Sequence, residues 1–186
     1  MNYPISKEVN RDNVAIIKIK KLYHDSKLPR YAHVKETESG IIPEDACLDL
    51  FCHHVELDRT NHNFVVHTGI AVEYTRNKVF VAVPRSSLTK TNFVMQNSPG
   101  IIDIGFRGEI LIKFKPINKT YKDYINYVEK GTADDFIISV LCPFFKGDAI
   151  AQFTLIDNYA IEINEVTELS DSIRGTGGYG SSNEKK

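Results

Sequence analysis

The chain has 186 residues, which suits one domain and is too short for two of ordinary size. Hydrophobic residues make up 42% of it and charged residues 25%, a composition that is typical of a folded globular protein and excludes a disordered one. Its 23 lysines and arginines against 24 aspartates and glutamates exclude the strong basic excess that general nucleic-acid binding usually requires.

The sequence contains no segment that predicts insertion into a membrane or secretion. No apolar run approaches the ~20 residues that a membrane helix needs, and the start, Met1 to Asn10, lacks the hydrophobic stretch of a signal peptide. The three cysteines are an odd number and do not predict a disulfide framework, which favours a reducing compartment. We therefore expect a cytoplasmic protein or, for a viral one, a location in the host-cell interior or nucleus.

Short runs of β-branched and aromatic residues recur along the chain and predict β-strands. These runs are Val14–Ile19, Leu48–Leu57, Phe64–Tyr74, Val79–Val83, Ile110–Phe114, Phe136–Leu141, Ala149–Ile156 and Tyr159–Ile163. Proline, glycine or asparagine residues separate several of them, as tight connections between antiparallel strands require. Eight or more short strands in one domain predict an all-β fold, a double sheet of the jelly-roll type in the form of a barrel or sandwich.

One segment, at about residues 120–131, has the spacing of a helix instead. Thr120 and Asp123 have the form of a capping box at its start, and Gly131 can end it. Apolar side chains recur at helical spacing between them, at Tyr121, Tyr124, Ile125 and Val128. We expect one short helix that packs on the sheet or on a neighbouring subunit, with the tyrosines serving packing rather than ligand binding.

Cysteine and histidine residues cluster between positions 47 and 67 and raise the question of a zinc site. They are Cys47, Cys52, His53, His54, His62 and His67. The cluster contains no C-x-x-C or H-x-x-x-H pair, and Cys47 and Cys52 would face opposite sides of a strand. We therefore expect buried thiols and surface imidazoles here rather than a metal centre.

Two short motifs carry polar groups that suit phosphate chemistry. Pro84-Arg85-Ser86-Ser87 follows a predicted strand, and its hydroxyls, guanidinium and backbone N–H groups can bind a phosphate, although the same residues are ordinary in turns. The segment Gly100–Glu109 predicts a tight hairpin that presents Asp103 and an aromatic ring on one side. Asp103 can act there as a general base on water, or it can bond its own backbone in the turn.

Two predicted strands carry an isolated polar residue, and the chain ends in a glycine-rich tail. Asp49 and Gln152 can be hydrogen-bonded groups at the edge of the core. From Ile173 onward no apolar pattern remains, so we expect this tail to be mobile when nothing is bound, either as a plain terminus or as a ligand-binding arm. Its amides, hydroxyls and guanidinium suit a phosphate, and its tyrosine can stack on a base.

In their order along the chain, these segments resemble the five-motif signature of the trimeric deoxyuridine triphosphate nucleotidohydrolases (dUTPases). The motifs read A-x-L-D-L, P-R-S-S, G-I-I-D-x-x-F-R-G-E, G-D-x-I-A-Q and R-G-T-G-G-Y-G-S-S, and together they extend from Ala46 to Ser182. The resemblance implies a jelly-roll domain over residues 1–172 and a flexible arm over residues 173–186. It further implies a homotrimer with shared active sites, in which each arm closes over a neighbouring subunit's site.

The resemblance also implies an activity, the Mg²⁺-dependent hydrolysis of dUTP to dUMP and pyrophosphate, which limits uracil in DNA and supplies dUMP for dTMP synthesis. It implies that Asp103 activates the water that attacks the α-phosphorus and that Asp49 reaches the metal through water. Segment 97–106 would read uracil, Phe106 would pack under the deoxyribose and Tyr179 would stack on the base. The positions implied to bind substrate are Arg85, Ser86, Ser87, Asn97, Gly100, Ile102, Phe106, Gln152, Arg174, Gly178, Tyr179, Gly180, Ser181 and Ser182.

The chain departs from the family pattern at several positions. Phe106 stands where the family usually has tyrosine, Ala149 replaces an arginine of the fourth motif, and Cys47 stands where glycine is common. The stretch between Glu109 and Gly147 is about twenty residues longer than usual, beyond common loop lengths. We expect these differences to alter packing or regulation rather than abolish activity.

Two other functions remain open at this point. A dCTP deaminase shares related motifs, but it depends on a catalytic glutamate at a place where this chain has Lys113. A non-catalytic dUTPase-like protein could use the inserted helix to bind a partner.

Overall fold

The structure, a computed structural model, describes residues 4–176. Its twelve strands are β1 (Ile17–Lys21), β2 (Val34–Thr37), β3 (Gly40–Pro43), β4 (Leu48–Phe51), β5 (His54–Asp58), β6 (Asn63–His67), β7 (Ile70–Tyr74), β8 (Lys78–Pro84), β9 (Phe93–Met95), β10 (Gly100–Ile102), β11 (Leu111–Pro116) and β12 (Ala149–Asp157). Its two α-helices are α1 (Asn118–Glu129) and α2 (Asp134–Leu141), and short 3-10 helices span Arg11–Asn13 and Ser86–Lys90.

Two four-stranded antiparallel sheets form the body of the protein. One has the strand order β10-β8-β12-β4 and the other β5-β6-β11-β9, while β1 pairs with β7 and β2 with β3. Alternate residues of both sheets meet in one core, in which Phe80 and Phe153 of the first sheet and Phe64 and Phe114 of the second are almost fully buried. The all-β, double-sheet prediction is therefore confirmed.

Several predicted strands are divided because the chain passes from one sheet to another. The run 48–57 forms β4 and β5, which belong to different four-stranded sheets. The run 64–74 breaks at Gly69, which has a φ of 70° and whose backbone lies so close to Ser26 that a Cβ atom would be 2.3 Å from the serine hydroxyl. Glycine at this corner lets the chain turn from β6 into β7.

The predicted inserted helix is in fact a pair of helices. Residues 136–141, expected to be a strand, lie in α2, and the error has a simple origin because a short apolar run fits a buried strand and a buried helix equally well. Asp134 and Asp135 in its first turn favour the helix. The other helix, α1, begins at Asn118, so Thr120 is not its N-cap, but Gly131 follows its end with a φ of 69° as expected.

Packing of the helices on the sheet depends on one aromatic side chain and one arginine. Tyr124 of α1 is fully buried in the common core, which confirms the expectation that the tyrosines serve packing. Arg59, between β5 and β6, donates from Nε to Asp134 at 2.7 Å and from Nη1 to the carbonyl of Val128 at 3.1 Å. It thereby ties both helices to the second sheet.

The cysteines follow the sequence-based expectation more closely than the histidines do. Cys52 is a buried free thiol as expected, whereas Cys47 is only half-buried. Cys142, outside the cluster, is also buried, and burial raises the pKa of Cys52 to about 12 and that of Cys142 to about 11. The expectation of surface imidazoles is wrong for His53 and His67, whose side chains are only 12% and 14% exposed. The ring of Tyr23 stacks on His53 at 4.1 Å and helps to cover it.

The described chain that follows β12 is exposed. Residues 158–176 are all exposed to solvent, and the predicted strand over 159–163 is absent. Tyr159, Ile161 and Ile163 instead project alternately into solvent with 80%, 86% and 87% of their surface exposed. Among residues 4–176, no helix is long and apolar enough to span a membrane.

Candidate active site

A cluster of polar side chains lies where three neighbouring strands of the first sheet run side by side. Gln152 of β12 is directly opposite Asp49 of β4 on one side and Val83 of β8 on the other. The Gln152 amide donates to the carbonyl of Pro84 at 3.4 Å, just before Arg85 begins the turn that follows β8. Strand register therefore brings Asp49, Arg85 and Gln152 together from positions 36 to 103 residues apart in the sequence.

Arg85 is held in place by the protein itself. Its Nε donates to Asp49 Oδ1 at 2.8 Å, and its Nη1 donates to the Ala149 carbonyl at 3.2 Å and to Ser87 Oγ at 3.4 Å. The Asp49 side chain is only 12% exposed, so this ion pair is largely shielded from water. These contacts use Nε and Nη1, which leaves the two N–H groups of Nη2 as donors for a ligand.

A cavity of about 300 Å³ opens beside this arginine. Residues from three parts of the chain line it, among them Arg85, Ser87, Phe144, Asp148 and Ala149. Ser86 and Ser87 are exposed residues at the start of the 3-10 helix. A guanidinium, hydroxyls and turn N–H groups around a cavity are a donor set for phosphate oxygens.

Several lining residues of this cavity had no functional role in the sequence analysis, and Phe144 and Asp148 are two of them. Phe144 lies just after α2, so the long insertion contributes to the cavity wall. Asp148 is part of the fourth motif, and its carboxylate accepts a hydrogen bond from the Phe145 backbone at 2.8 Å, which closes the turn before β12. The motif itself contains Asp148 and could have indicated it. No sequence signal indicates Phe144, because its position depends on how the insertion folds back.

Ala149, at the position where the family motif has arginine, contacts the site through its backbone. Ala149 stands at a β-bulge where the pairing of β12 with β4 shifts, and its carbonyl is turned toward Arg85. The backbone at position 149 therefore takes part in the site although the side chain is a methyl group.

Asp103 and Phe106 lie on a turn at the edge of the same sheet. Asp103 directly follows β10, and its backbone carbonyl accepts from the Phe106 N–H at 2.9 Å. Both side chains are exposed, and the Phe106 ring lies over Gly108, where an added Cβ would be 2.6 Å from the ring carbon Cζ. The turn is thus closed by backbone, and the carboxylate is presented to solvent.

The segment before this turn is anchored from both sides, but it is not the tight hairpin that the sequence predicts. The paired strands are β9 and β11, and the long connection between them includes β10, which pairs with β8 of the other sheet. Asn97 fixes the start of the connection, since its amide donates to the Leu111 carbonyl at 3.0 Å and accepts from the Lys113 N–H at 2.9 Å. Gly100 packs against Ala82, and the Ile102 carbonyl accepts from the Tyr74 hydroxyl.

Within one chain, the turn that carries Asp103 and the cavity beside Arg85 lie far apart. Ile102 pairs with Phe80, so Asp103 lies at the beginning of β8, whereas Arg85 follows its end. At about 3.3 Å per residue, the length of β8 separates Asp103 from Arg85 by roughly 20 Å. The sequence order of the motifs contains no sign of this separation.

Arg174, the first tail residue expected to bind substrate, is exposed within the described chain. The other tail positions given a role above, which are Gly178, Tyr179, Gly180, Ser181 and Ser182, lie outside the described residues.

Comparison with known proteins finds similar sequences of nearly the same length. No protein-family model matches the chain. A protein of Clostridium tetani named deoxyuridine 5'-triphosphate nucleotidohydrolase is 36% identical over 166 residues, which cover 89% of this chain and 94% of that protein. A protein of Hydrogenobaculum sp. with the same name is 35% identical over 169 residues, covering 90% and 97%.

Solved structures with a similar fold come from phages. A mutant of the Staphylococcus bacteriophage 80alpha dUTPase with dUpNHpp matches with a TM-score of 0.64 and 22% identity, covering 90% of this chain and 98% of that one. A mutant dUTPase from phage phi11 of S. aureus, reported with a structural Mg(II) ion, matches with a TM-score of 0.58 and 19% identity, covering 82% and 97%.

Proposed function

This chain belongs to the deoxyuridine 5'-triphosphate nucleotidohydrolase (dUTPase) family, and we propose that it hydrolyses dUTP to dUMP and pyrophosphate. The assignment of roles rests on the cavity beside Arg85. Arg85 is fixed by a shielded carboxylate at 2.8 Å and by a backbone carbonyl, so its remaining donors are oriented before substrate arrives. Donors that need no reorganisation are the main source of stabilisation for charge on a reacting phosphate.

Arg85, Ser86, Ser87 and Gln152 bind the phosphate chain in this proposal. Ser87 Oγ lies 3.4 Å from Arg85 Nη1, so one oxygen of the substrate can meet both groups. Asp49 is a positioning residue for Arg85 within its own chain. The rest of the phosphate binding comes from the arm, through Arg174, Ser181 and Ser182.

Asp103 is the general base of the proposed reaction. Its carboxylate takes a proton from a water molecule while the water oxygen forms a bond to the α-phosphorus. The bond from the α-phosphorus to the bridging oxygen breaks, and pyrophosphate leaves with the electron pair. A carboxylate on a backbone-closed turn at the protein surface has the reach for this role.

The nucleoside is bound by the segment that ends at Phe106. Backbone groups of the connection from Asn97 through Gly100 and Ile102 read the uracil edge, while the amide of Asn97 holds this connection to β11. The Phe106 ring lies under the deoxyribose, where a ribose hydroxyl would be excluded by contact. Tyr179 of the arm stacks on the base, with Gly178 and Gly180 allowing its close approach.

The active protein is a homotrimer with shared sites in this proposal. The argument rests on β8, because a water activated by Asp103 must attack a phosphate held by Arg85, about 20 Å away in the same chain. Asp103 of one subunit must therefore meet Arg85 of another. The exposed alternate apolar side chains at 159, 161 and 163 support this, since residues 4–176 of their own chain leave them uncovered.

The domain over residues 1–172 and the arm over 173–186 have separate roles in this trimer. Removal of residues 173–186 is expected to abolish most turnover and leave the trimer intact, because the apolar positions lie before the arm.

Mg²⁺ fits this site as an ion that enters with the nucleotide. Mg²⁺ keeps several waters and binds substrate phosphates with the help of one or two carboxylates. Asp49 Oδ1 is already occupied by Arg85, so Asp49 would reach the ion through water. Once bound, the ion would neutralise charge on the phosphates.

A direct assay separates this proposal from its alternatives. Purified protein is offered dUTP, dCTP, dTTP and UTP, with and without Mg²⁺, and pyrophosphate and ammonia are measured. We expect pyrophosphate from dUTP alone, in the presence of Mg²⁺. Ammonia from dCTP would favour a deaminase, although Lys113 stands at the place of its glutamate and lies 4.0 Å from Asp58. No release from any nucleotide would favour a non-catalytic binder.

A further inference from the structure

A second cluster of chemically capable side chains lies in the other four-stranded sheet. His54 of β5 is directly opposite His67 of β6, and Glu56 is two residues beyond His54 on β5. Opposite residues of an antiparallel pair, and residues two apart on one strand, share a face of the sheet. The three side chains therefore project from the same side of a sheet that does not contain Asp49, Arg85 or Gln152.

The distances within this cluster are those of ligands around one ion. His67 Nε2 lies 3.3 Å from Glu56 Oε2, and His54 Nε2 lies 3.6 Å from Glu56 Oε1. One ligand atom from each residue falls within 4.8 Å of both others. Zinc–nitrogen bonds of about 2.0–2.1 Å place tetrahedral ligand atoms about 3.3 Å apart, so only small shifts separate this arrangement from a three-ligand site.

The far side of each imidazole is held by a hydrogen-bond partner. His67 Nδ1 lies 2.8 Å from Glu109 Oε2, and this carboxylate also accepts the Gly69 N–H at 2.6 Å. His54 Nδ1 lies 2.9 Å from His53 Nδ1. Metal-binding histidines almost always have such a partner on the nitrogen that does not bind the metal, because it fixes the tautomer and the ring orientation.

The partners of the ring nitrogens suit one arrangement of donors. His53 Nε2 lies 3.0 Å from Asp25 Oδ1, which suits a proton on Nε2 and leaves Nδ1 to accept from His54 Nδ1. When His54 and His67 each donate from Nδ1 to these partners, both can present a bare Nε2 to a metal ion. Two lone pairs and a carboxylate consequently face one another.

One nitrogen of this cluster has no hydrogen-bond partner. His67 Nε2 is buried and makes no hydrogen bond with any residue in the described part of the chain. A buried polar atom without a partner is unfavourable. A cation bound between the three groups removes this cost.

We propose that His54, Glu56 and His67 bind a divalent transition-metal ion, with zinc as the favoured occupant. Two imidazoles and one carboxylate bind zinc in preference to magnesium. Three protein ligands leave a further coordination position for water. The ion enters from solvent, since the side chains of His54 and Glu56 are 34% and 63% exposed. The stacked rings of His54 and His67, 4.0 Å apart, must tilt slightly toward the ion when it binds.

Cobalt titration of the full chain tests this proposal without reference to dUTP hydrolysis. Protein is titrated with Co²⁺ in excess Mg²⁺ and without nucleotide, so that oxygen-rich sites are filled by magnesium. We expect one Co²⁺ per chain with the visible d–d absorption of a low-coordinate nitrogen and oxygen site, its loss on adding Zn²⁺, and a thermal midpoint that rises with the zinc concentration.

Three variants assign the ligands. Glu56→Gln and His67→Gln are each expected to weaken Co²⁺ binding by about tenfold or more, and Glu56 is exposed enough that its replacement leaves folding unchanged. His33→Gln is the control, because His33 also pairs with a carboxylate, Asp45 at 2.9 Å, but is an exposed side chain outside the cluster. A folded wild type that binds no Co²⁺, or equal binding by wild type, Glu56→Gln and His67→Gln, would overturn the proposal.

Discussion

The functional side chains at the two ends of β8 differ in how firmly contacts within their own chain hold them. At its end, Arg85 is fixed by Asp49, Ala149 and Ser87, and the carboxylate partner is largely buried. At its beginning, the Asp103 carboxylate is exposed and the Phe106 ring is 43% exposed. Groups that bind charge are thus pre-organised within one chain, whereas groups that act on water and sugar are presented for a second chain to enclose.

The largest effect is expected at the exposed end. Asp103→Asn should lower kcat about 10²–10⁴-fold, because an amide cannot accept the proton of the attacking water. The KM for dUTP and the free energy of unfolding should change little, since the side chain is exposed. Asp123→Asn, an exposed aspartate on α1, is the control. Steady-state release of pyrophosphate measures the effect, and a wild-type kcat in Asp103→Asn would exclude this residue as the base.

A mixing experiment tests whether the two ends come from different chains. Asp103→Asn and Arg85→Ala proteins are each expected to be inactive alone. When they are unfolded and refolded together, one site in about four should combine an intact Asp103 from one chain with an intact Arg85 from another, restoring about a quarter of wild-type activity. Refolding each variant separately before mixing is the control. If co-refolding restores nothing, both groups act within one chain and the shared-site proposal fails.

Substitutions at the two ends of β8 should also differ in their effect on the stability of the fold, and this effect is smaller. Arg85→Ala leaves Asp49, which is 9% exposed, without its guanidinium partner, and should lower the free energy of unfolding by about 1–3 kcal/mol. Asp103→Asn should change it by less than about 0.5 kcal/mol. Urea denaturation of both variants beside wild type measures the difference. Equal stability of the two variants would mean that the Asp49–Arg85 pair contributes nothing to the fold.

The sequence predicts features that depend on neighbouring residues in the chain. It does not predict features that depend on the register in which distant strands pair. Alternating apolar runs predict most strands, and turn residues predict their breaks, because both depend on neighbours in the chain. Asp49 and Gln152 lie opposite each other only because of the register in which β4 and β12 pair. The spacing of residues in the sequence does not predict this register. The same holds for His54 and His67, which are thirteen positions apart and meet only across a strand pair.

The wrong secondary-structure prediction within the inserted segment between Glu109 and Gly147 has a different cause. The largely apolar segment from Phe136 to Leu141, interrupted only by Ser139, fits two periodicities, and only the docking of the helix pair through Arg59 decides between them. Phe144 reaches the phosphate cavity through that docking as well. Long-range packing of this kind leaves no mark on the sequence nearby.

The smallest effect that we predict concerns the shape of the turn at the exposed end. An added methyl group in Gly108→Ala would lie 2.6 Å from Phe106 Cζ, so the ring must move away from its place over the turn. We expect the KM for dUTP to rise by about tenfold with a smaller change in kcat, because the ring binds the sugar and takes no part in proton transfer. Gly105→Ala is the matched control, since within residues 4–176 no atom beyond its two chain neighbours lies within 4 Å of its added Cβ. Equal kinetics for the two variants would show that the position of the Phe106 ring does not determine how the nucleoside binds.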